Sequence, residues 1–185
     1  KLHLGQSILV QQVRSLYKDN LGSVWVGTLG GVYHYDPFRK IFRHVDLDKT
    51  SDDIAVGLQT VTNGIFVNAL GKGVYFKSNQ SETFKKVDLP SEFPDQGLFV
   101  WDFVEVSESN FPIWMATNEG VFCYNPSQSK FKKINLPLHQ NDQDISFSIL
   151  NTNNGFVWIS SHKAIHKVSK QDGIVINSFP LNNYM

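Results

Sequence analysis

Six histidines are scattered along the chain, at positions 3, 34, 44, 139, 162 and 166. Only His162 and His166 lie close together. On a helix their H-x-x-x-H spacing would stack two imidazoles on one face, as a zinc ion requires. Here they follow the strand-like run Val157-Trp158-Ile159-Ser160-Ser161, so the two rings straddle a hairpin turn, and no third ligand is in view. Carboxylates come in pairs at Asp52-Asp53 and at Asp142 with Asp144. A glycosidase needs two carboxyls flanking a sugar in a cleft. Both pairs fall in polar connectors, where solvated acids are ordinary. The single cysteine, Cys123, sits between Phe122 and Tyr124, so it forms no internal disulfide and reads as a small core residue. No nucleophile elbow, phosphate-cradling glycine loop or Cys–His pairing stands out. The expectation is a chain with no catalytic residue, no metal site and no cofactor.

Composition narrows the classes further. Lys plus Arg equals Asp plus Glu at 17 each, for a formal net charge of zero. A nucleic-acid binder gathers positive charge on one face, whereas Lys85-Lys86 and Lys132-Lys133 are small and scattered. Nucleic acid is therefore not an expected partner. No run approaches 18 apolar residues, so no membrane span is expected within these residues. Lys1-Leu2-His3-Leu4-Gly5 is not followed by the apolar stretch of a signal peptide. Any signal or anchor is expected outside residues 1–185. A lone cysteine suits cytoplasm and periplasm equally and does not fix the compartment.

The elements that must position any site emerge when the chain is cut and stacked. Val24-Trp25-Val26-Gly27-Thr28 with Gly31-Val32-Tyr33-His34-Tyr35-Asp36-Pro37 returns as Ile113-Trp114-Met115-Ala116-Thr117 with Gly120-Val121-Phe122-Cys123-Tyr124-Asn125-Pro126. It returns again as Val157-Trp158-Ile159-Ser160-Ser161 with Ala164-Ile165-His166-Lys167-Val168. Another copy carries Phe in place of Trp, Ile65-Phe66-Val67-Asn68-Ala69 with Gly73-Val74-Tyr75-Phe76. The anchors Trp25, Phe66, Trp114 and Trp158 recur about every 41 to 48 residues, a period that signals propeller-type repeats. Three copies place the small residue six positions after the anchor. The second places Gly73 seven after Phe66, which predicts a turn longer by one residue.

Each copy reads as four short strands. In the first, Val10–Tyr17 is the inner strand, followed by a turn at Asp19, Asn20 and Gly22. Val24–Thr28 alternates with period two. Leu29-Gly30-Gly31 closes a hairpin on glycine's positive φ. Val32–Tyr35, the Asp36-Pro37 turn and Ile41–Val45 complete the unit. Helical periodicity is absent. A four-stranded sheet of this length cannot bury both faces alone, and face-to-face stacking of sheets buries them. The predicted fold is all-β: a β-propeller of four tandem four-stranded antiparallel blades, part of a larger propeller. The blades run over about 8–47, 54–89, 98–136 and 145–181 within one fragment spanning 1–185. At their equivalent positions the tryptophans are expected to pack between blades, in preference to forming a ligand platform.

The run Asp19, Gly22, Val24–Thr28, Gly31–Tyr33 and Tyr35–Pro37 resembles the two-component regulator propeller repeat. Val100-Trp101-Asp102-Phe103 resembles the inner-strand motif of that family, and Ser146-Phe147-Ser148-Ile149 is its weaker echo. The likeness extends over nearly the whole chain, with Phe66, Asn68-Ala69 and Ser160-Ser161 as departures. The resemblance implies the extracytoplasmic sensor region of a hybrid two-component histidine kinase of Bacteroidetes-type bacteria, on the periplasmic or extracellular face of a membrane. Many receptors of that kind sense products of polysaccharide breakdown, and the resemblance implies such a signal here. A rival likeness lies at Gly73–Phe84, where Asn79, Ser81, Thr83 and Phe84 resemble a degraded Asp-box hairpin of sialidase-type propellers. In those families the box is a structural turn, so it supports the fold more than the enzyme.

Three functions follow as expectations. The first is a ligand-sensing propeller. Its binding face carries the connectors Asp46–Asp53, Asp88–Gly97 and Asn135–Asp144 and the second-to-third-strand turns, with Lys72, Glu119, His162 and Lys163 as candidate ligand-binding residues. A neutral oligosaccharide suits a face without strong net charge. Further blades, membrane-linked signalling domains of the same chain and a homodimer are its other partners. The second is a protein-interaction scaffold with no small ligand. The third is a propeller enzyme acting on glycans, a lyase or a hydrolase.

Overall fold

The structure is a computed structural model that describes residues 12–19, 22–48, 55–90, 98–137 and 145–181. Among these the chain is strand and turn throughout, in four antiparallel four-stranded sheets, each in simple up-and-down order. The first holds β1 (Val13–Lys18), β2 (Val24–Thr28), β3 (Gly31–Asp36) and β4 (Ile41–Val45). The second holds β5 (Ala55–Val61), β6 (Gly64–Ala69), β7 (Gly73–Ser78) and β8 (Lys85–Lys86). The third holds β9 (Val100–Glu105), β10 (Ile113–Thr117), β11 (Gly120–Asn125) and β12 (Lys130–Ile134), and the fourth β13 (Ser146–Asn151), β14 (Phe156–Ser161), β15 (Ala164–Ser169) and β16 (Val175–Pro180). The strand expected over Val10–Tyr17 runs over Val13–Lys18, and Val10 and Gln11 lie outside the described residues.

The second strand of each sheet holds the anchor. β6, β10 and β11 are buried along their whole length, on both faces, as a strand in the middle of a stacked sheet must be. The fourth strands are mostly exposed. The turns follow from side chains that mimic the backbone. Asp19 accepts from the Ser23 amide (2.9 Å) and from Trp25 Nε1 (3.0 Å), fixing the anchor ring from the turn before it. Asp36 accepts from the amides of Phe38 and Arg39, and Asn125 accepts from those of Ser127 and Gln128, the same Asx turn at Asp-Pro and Asn-Pro. The Arg39 amide above all, with that of Phe38, holds the Asp36 carboxyl below the usual carboxylate range. The β6–β7 turn does hold one residue more than its counterparts: Leu70, Gly71 and Lys72, with Gly71 at φ 74°.

The described residues fall into two compact units, one carrying β1–β8 and the other β9–β16. In the first unit Trp25 meets Phe84 edge-on at 6.0 Å and joins Leu47, Leu58, Ile65, Val67 and Tyr75 in one core. In the second, Trp114, Val121, Cys123 and Ile134 of one sheet pack on Ile149, Val157, Ile159 and Val168 of the next. Trp25 and Trp114 therefore pack between sheets. Phe66 is fully buried against Phe76 of its own sheet, and Trp158 is half-buried, stacked on Phe179 at 5.8 Å. Polar links join the sheets of the second unit as well. Asp102 Oδ2 accepts from Ser148 Oγ and the Ile149 amide, both at 2.9 Å, and the buried Lys170 ammonium meets Glu108 at 3.1 Å.

The Gly73–Phe84 segment is a structural turn. Asn79 Nδ2 donates to the Thr62 carbonyl, Ser81 Oγ bonds within the turn to Thr83, and Phe84 is the ring that Trp25 meets.

Candidate functional site

The four candidate ligand-binding residues sit where the sequence placed them, on turns between second and third strands. These turns are closed from inside by one repeated device. Thr28 Oγ1 donates to the Gly31 carbonyl (2.9 Å), Thr117 Oγ1 to that of Gly120 (2.9 Å) and Ser161 Oγ to that of Ala164 (3.2 Å). Thr28 Oγ1 and Thr117 Oγ1 also accept the amides of Gly30 and Glu119. In the β6–β7 turn Ala69 replaces the hydroxyl residue, and the Lys72 amide bonds the Ala69 carbonyl at 3.0 Å. Lys72 lies in the first unit. Glu119, His162 and Lys163 lie in the second, on equivalent turns at the same end of two packed sheets. His162 and Lys163 are exposed, and Glu119 is half-buried. Of the connectors assigned to this face only 46–48, 88–90 and 135–137 are described. The acid pairs Asp52-Asp53 and Asp142 with Asp144 lie outside the described residues.

The two closely spaced histidines have separate surroundings. His162 is at a turn, and its amide donates to the Ile145 carbonyl. His166 is 1% exposed on β15, with Nε2 2.9 Å from Ser161 Oγ and Nδ1 2.8 Å from Ser178 Oγ. Because Ser161 directs its proton to the Ala164 carbonyl, its oxygen accepts from Nε2–H. Nδ1 then accepts from Ser178. That tautomer supplies no base toward Ser161, so this Ser–His contact is a buried structural network and not an activated nucleophile. Cys123 is likewise inert in place, since burial pushes its thiol pKa well up.

One feature escaped the reading of strands as regular alternation. The register slips at the same place in every first strand. Val13 and Ser15, Ala55 and Gly57, Val100 and Asp102, and Ser146 and Ser148 pair with their second strands, leaving Arg14, Val56, Trp101 and Phe147 without cross-strand partners. A bulge of this kind re-aims a side chain. In the second unit it turns out two large rings, Trp101 at 47% exposure and Phe147 at 42%. Their centroids are 6.0 Å apart, and the Phe99 ring lies 4.3 Å from that of Trp101. The candidate turns are tied to this cluster. The Asn118 amide donates to the Phe99 carbonyl (3.1 Å), the Phe99 amide donates to Asn118 Oδ1 (2.7 Å), and Asn118 Nδ2 reaches Glu119 Oε1 at 3.5 Å. His162 bonds Ile145, two residues before Phe147. Sequence signals for this cluster existed, since Trp101 and Phe147 occupy the same position of successive copies. The slip that exposes them was not legible.

Several solved propellers share this architecture. The extracellular domain of a one component system from B. thetaiotaomicron aligns with a TM-score of 0.71 at 21% identity, over 93% of this chain and 23% of that one. The extracellular domain of a hybrid two component system from the same organism aligns at 0.67 and 15%, over 95% of this chain and 25% of that one. A streptogramin B lyase aligns at 0.73 and 16%, over 98% of this chain and 58% of that one. The chain thus spans about a quarter of the length of the two extracellular domains. At these identities the likeness is one of fold. No curated protein matches the chain by sequence. Residues 7–30, which include β1, β2 and the β2–β3 turn, match the family model described as two component regulator propeller. Four tandem antiparallel blades make this chain a β-propeller, and its first blade bears a local match to the two-component regulator propeller repeat.

Proposed function

We propose that this chain is part of the extracytoplasmic ligand-sensing propeller of a two-component sensor, a hybrid histidine kinase, and that it responds to a glycan-derived ligand. The observation that carries the reading is the family match at residues 7–30. The likeness to extracellular domains of a one component and a hybrid two component system supports it. In this reading the fragment spans 1–185, with blades over about 8–47, 54–89, 98–136 and 145–181, and stands on the periplasmic or extracellular side of a membrane. The chain itself binds and signals but does not catalyse. Its partners are an oligosaccharide, further blades, membrane-linked signalling domains of the same protein and a second copy. Lys72, Glu119, His162 and Lys163 offer the charged and hydrogen-bonding groups that sugar hydroxyls need.

The gene sequence on both sides of this segment tests the sensor reading. Further Trp-Gly-Thr repeats, a membrane helix and kinase segments are the expected result, and their absence would overturn it. Saturable binding of a neutral hexaose to the full protein tests the glycan part, with weaker binding expected in a Lys72→Ala, Lys163→Ala double variant.

A second reading, the interaction scaffold, draws on the apolar groups exposed on the fourth sheet. Leu150, Ile165 and Phe179 lie on the Trp158 side of that sheet, with Leu150 at 62% exposure. The enzyme reading draws only on the fold shared with the lyase.

A further inference from the structure

We propose that Trp101, flanked by Phe99 and Phe147, is the stacking platform of the ligand site, taking the face of a pyranose ring, with Glu119 and His162 at its rim to bond the ring hydroxyls. The inference deepens the glycan-sensing reading and rests on it.

Three observations carry it. First, the fold does not require a ring at this position. The equivalent bulge of the first sheet turns out Arg14, an exposed charged residue. Two successive bulges of the second unit therefore present aromatics at a position the fold leaves open to other residues. Second, the cluster is pre-ordered. Trp101 is tilted 37° against Phe99 at 4.3 Å, and Asn118 pins the Phe99 backbone through both its amide and its side chain. A ring already held in place loses little freedom when a ligand stacks on it. Third, the rim is polar and of both characters. Glu119 accepts hydrogen bonds, while exposed His162 both accepts and donates, and each lies on a turn bonded to the segment that leads into the aromatic strand.

A pyranose fits this pattern because it is amphipathic in the same sense. The C–H bonds of its face are apolar and stack on an aromatic ring, while its hydroxyls point outward to the edge. A purely apolar partner would leave Glu119 and His162 desolvated without hydrogen bonds. An anionic ligand would meet the negative π faces of the three rings and the Glu119 carboxylate.

The test is titration calorimetry on the full protein, with hexaoses of glucose, xylose and mannose as probes, alongside quenching of tryptophan emission. For a hexaose that binds, Trp101→Ala is expected to weaken affinity about tenfold or more and to remove most of the ligand-induced emission change. Trp101→Phe, which keeps a flat ring, is expected to lose less. Because Trp101 is half-exposed, the melting temperature should stay close to that of the parent protein, which separates loss of binding from loss of folding. Binding that is unchanged in both Trp101→Ala and Phe147→Ala would overturn the platform while leaving glycan sensing intact. Failure of every hexaose to bind the parent protein would overturn both. A Trp101→Ala variant that turns a dimer into a monomer, with sugar affinity unchanged, would assign the rings to a protein contact and overturn the platform too.

Discussion

The anchor tryptophans are equivalent in sequence but not in hydrogen bonding, and the difference makes a quantitative prediction. Trp25 donates Nε1–H to Asp19. Trp114 is 1% exposed, and its Nε1 finds no partner among the described residues. The cause is one residue in the preceding turn. The Asp19 amide bonds the Ser23 carbonyl at the start of the turn, and in the third sheet the Val106 amide bonds the Pro112 carbonyl in the same way. Val106 thus stands where Asp19 stands and has no carboxylate to offer. Replacing either indole by phenylalanine removes roughly 40 Å³ of packed volume, worth about 1 kcal/mol. In Trp25→Phe the lost bond to a charged acceptor adds about 1.5 kcal/mol, for a total near 2.5 kcal/mol. In Trp114→Phe the change relieves a buried unpaired N–H, worth about 1–3 kcal/mol, so the sum runs from zero to about 2 kcal/mol of stabilisation. Phe66, fully buried at the corresponding place of the second sheet, shows that the fold accepts the smaller ring. Thermal unfolding followed by far-UV circular dichroism should show Trp25→Phe melting about 5–10 °C lower and Trp114→Phe melting between the parent value and about 8 °C higher. Asp19→Val loses the Ser23 amide bond as well as the indole bond, so only the indole share of its cost should fail to add to Trp25→Phe. Equal losses for the two tryptophan variants, or a larger loss at Trp114, would refute the reasoning.

Two further predictions concern the first unit. Burial foremost lowers the pKa of His34, against the opposing pull of Asp19 and Asp36, and its ring lies 4.4 Å from Trp25. The folded state therefore resists a proton that the unfolded chain accepts near pH 6.5. The contribution is complete above that pH and is lost as pH falls through the lower folded value. Urea midpoints at pH 7.5, 6 and 5 should fall more steeply in the parent than in His34→Gln, and parallel slopes would contradict the assignment. At Gly64 an added Cβ would be driven into the Lys77 carbonyl oxygen and would lie 2.8 Å from the Phe76 ring. Gly64→Ala should cost about 3 kcal/mol in urea unfolding. Gly71→Ala, at φ 74° with open space around it, should cost only about 1–2 kcal/mol, and a reversed order would contradict the packing described.

Much of the scaffold was legible in the sequence because it is written in local chemistry repeated four times. Asp36-Pro37 and Asn125-Pro126 announce the same Asx turn, and the extra residue between Phe66 and Gly73 announces the longer β6–β7 turn. Packing of Trp25 and Trp114 between sheets followed from their equivalence. What escaped depends on partners distant in sequence. Whether Trp101 faces the core or solvent is decided by a slip in pairing between β9 and β10, which alternation cannot reveal, because one unpaired residue reverses the side on which all that follow are displayed. His166 reads as half of a metal-like pair until Ser161 and Ser178 are seen to hold both its nitrogens. Lys170 reads as a solvated turn residue until Glu108, 62 positions earlier, is found beside it.

These particulars suggest how a propeller repeat separates holding from recognising. The hydroxyl of Thr28, Thr117 or Ser161 closes its turn through a backbone carbonyl, so the closure is indifferent to what stands at the tip. Leu29-Gly30, Asn118-Glu119 and His162-Lys163 can accordingly occupy one geometry. The bulge does the same for the first strand. Its neighbours Val100 and Phe103 are buried and hold the sheet, while the ejected residue is Arg14 in one blade and Trp101 in another. Variation at these two places changes what the end of each sheet presents to solvent and leaves the anchors and the core undisturbed. A ligand site in such a molecule is thus best sought where the repeats disagree at positions whose backbone agrees, and in the second unit that criterion selects Trp101, Phe147, Glu119 and His162.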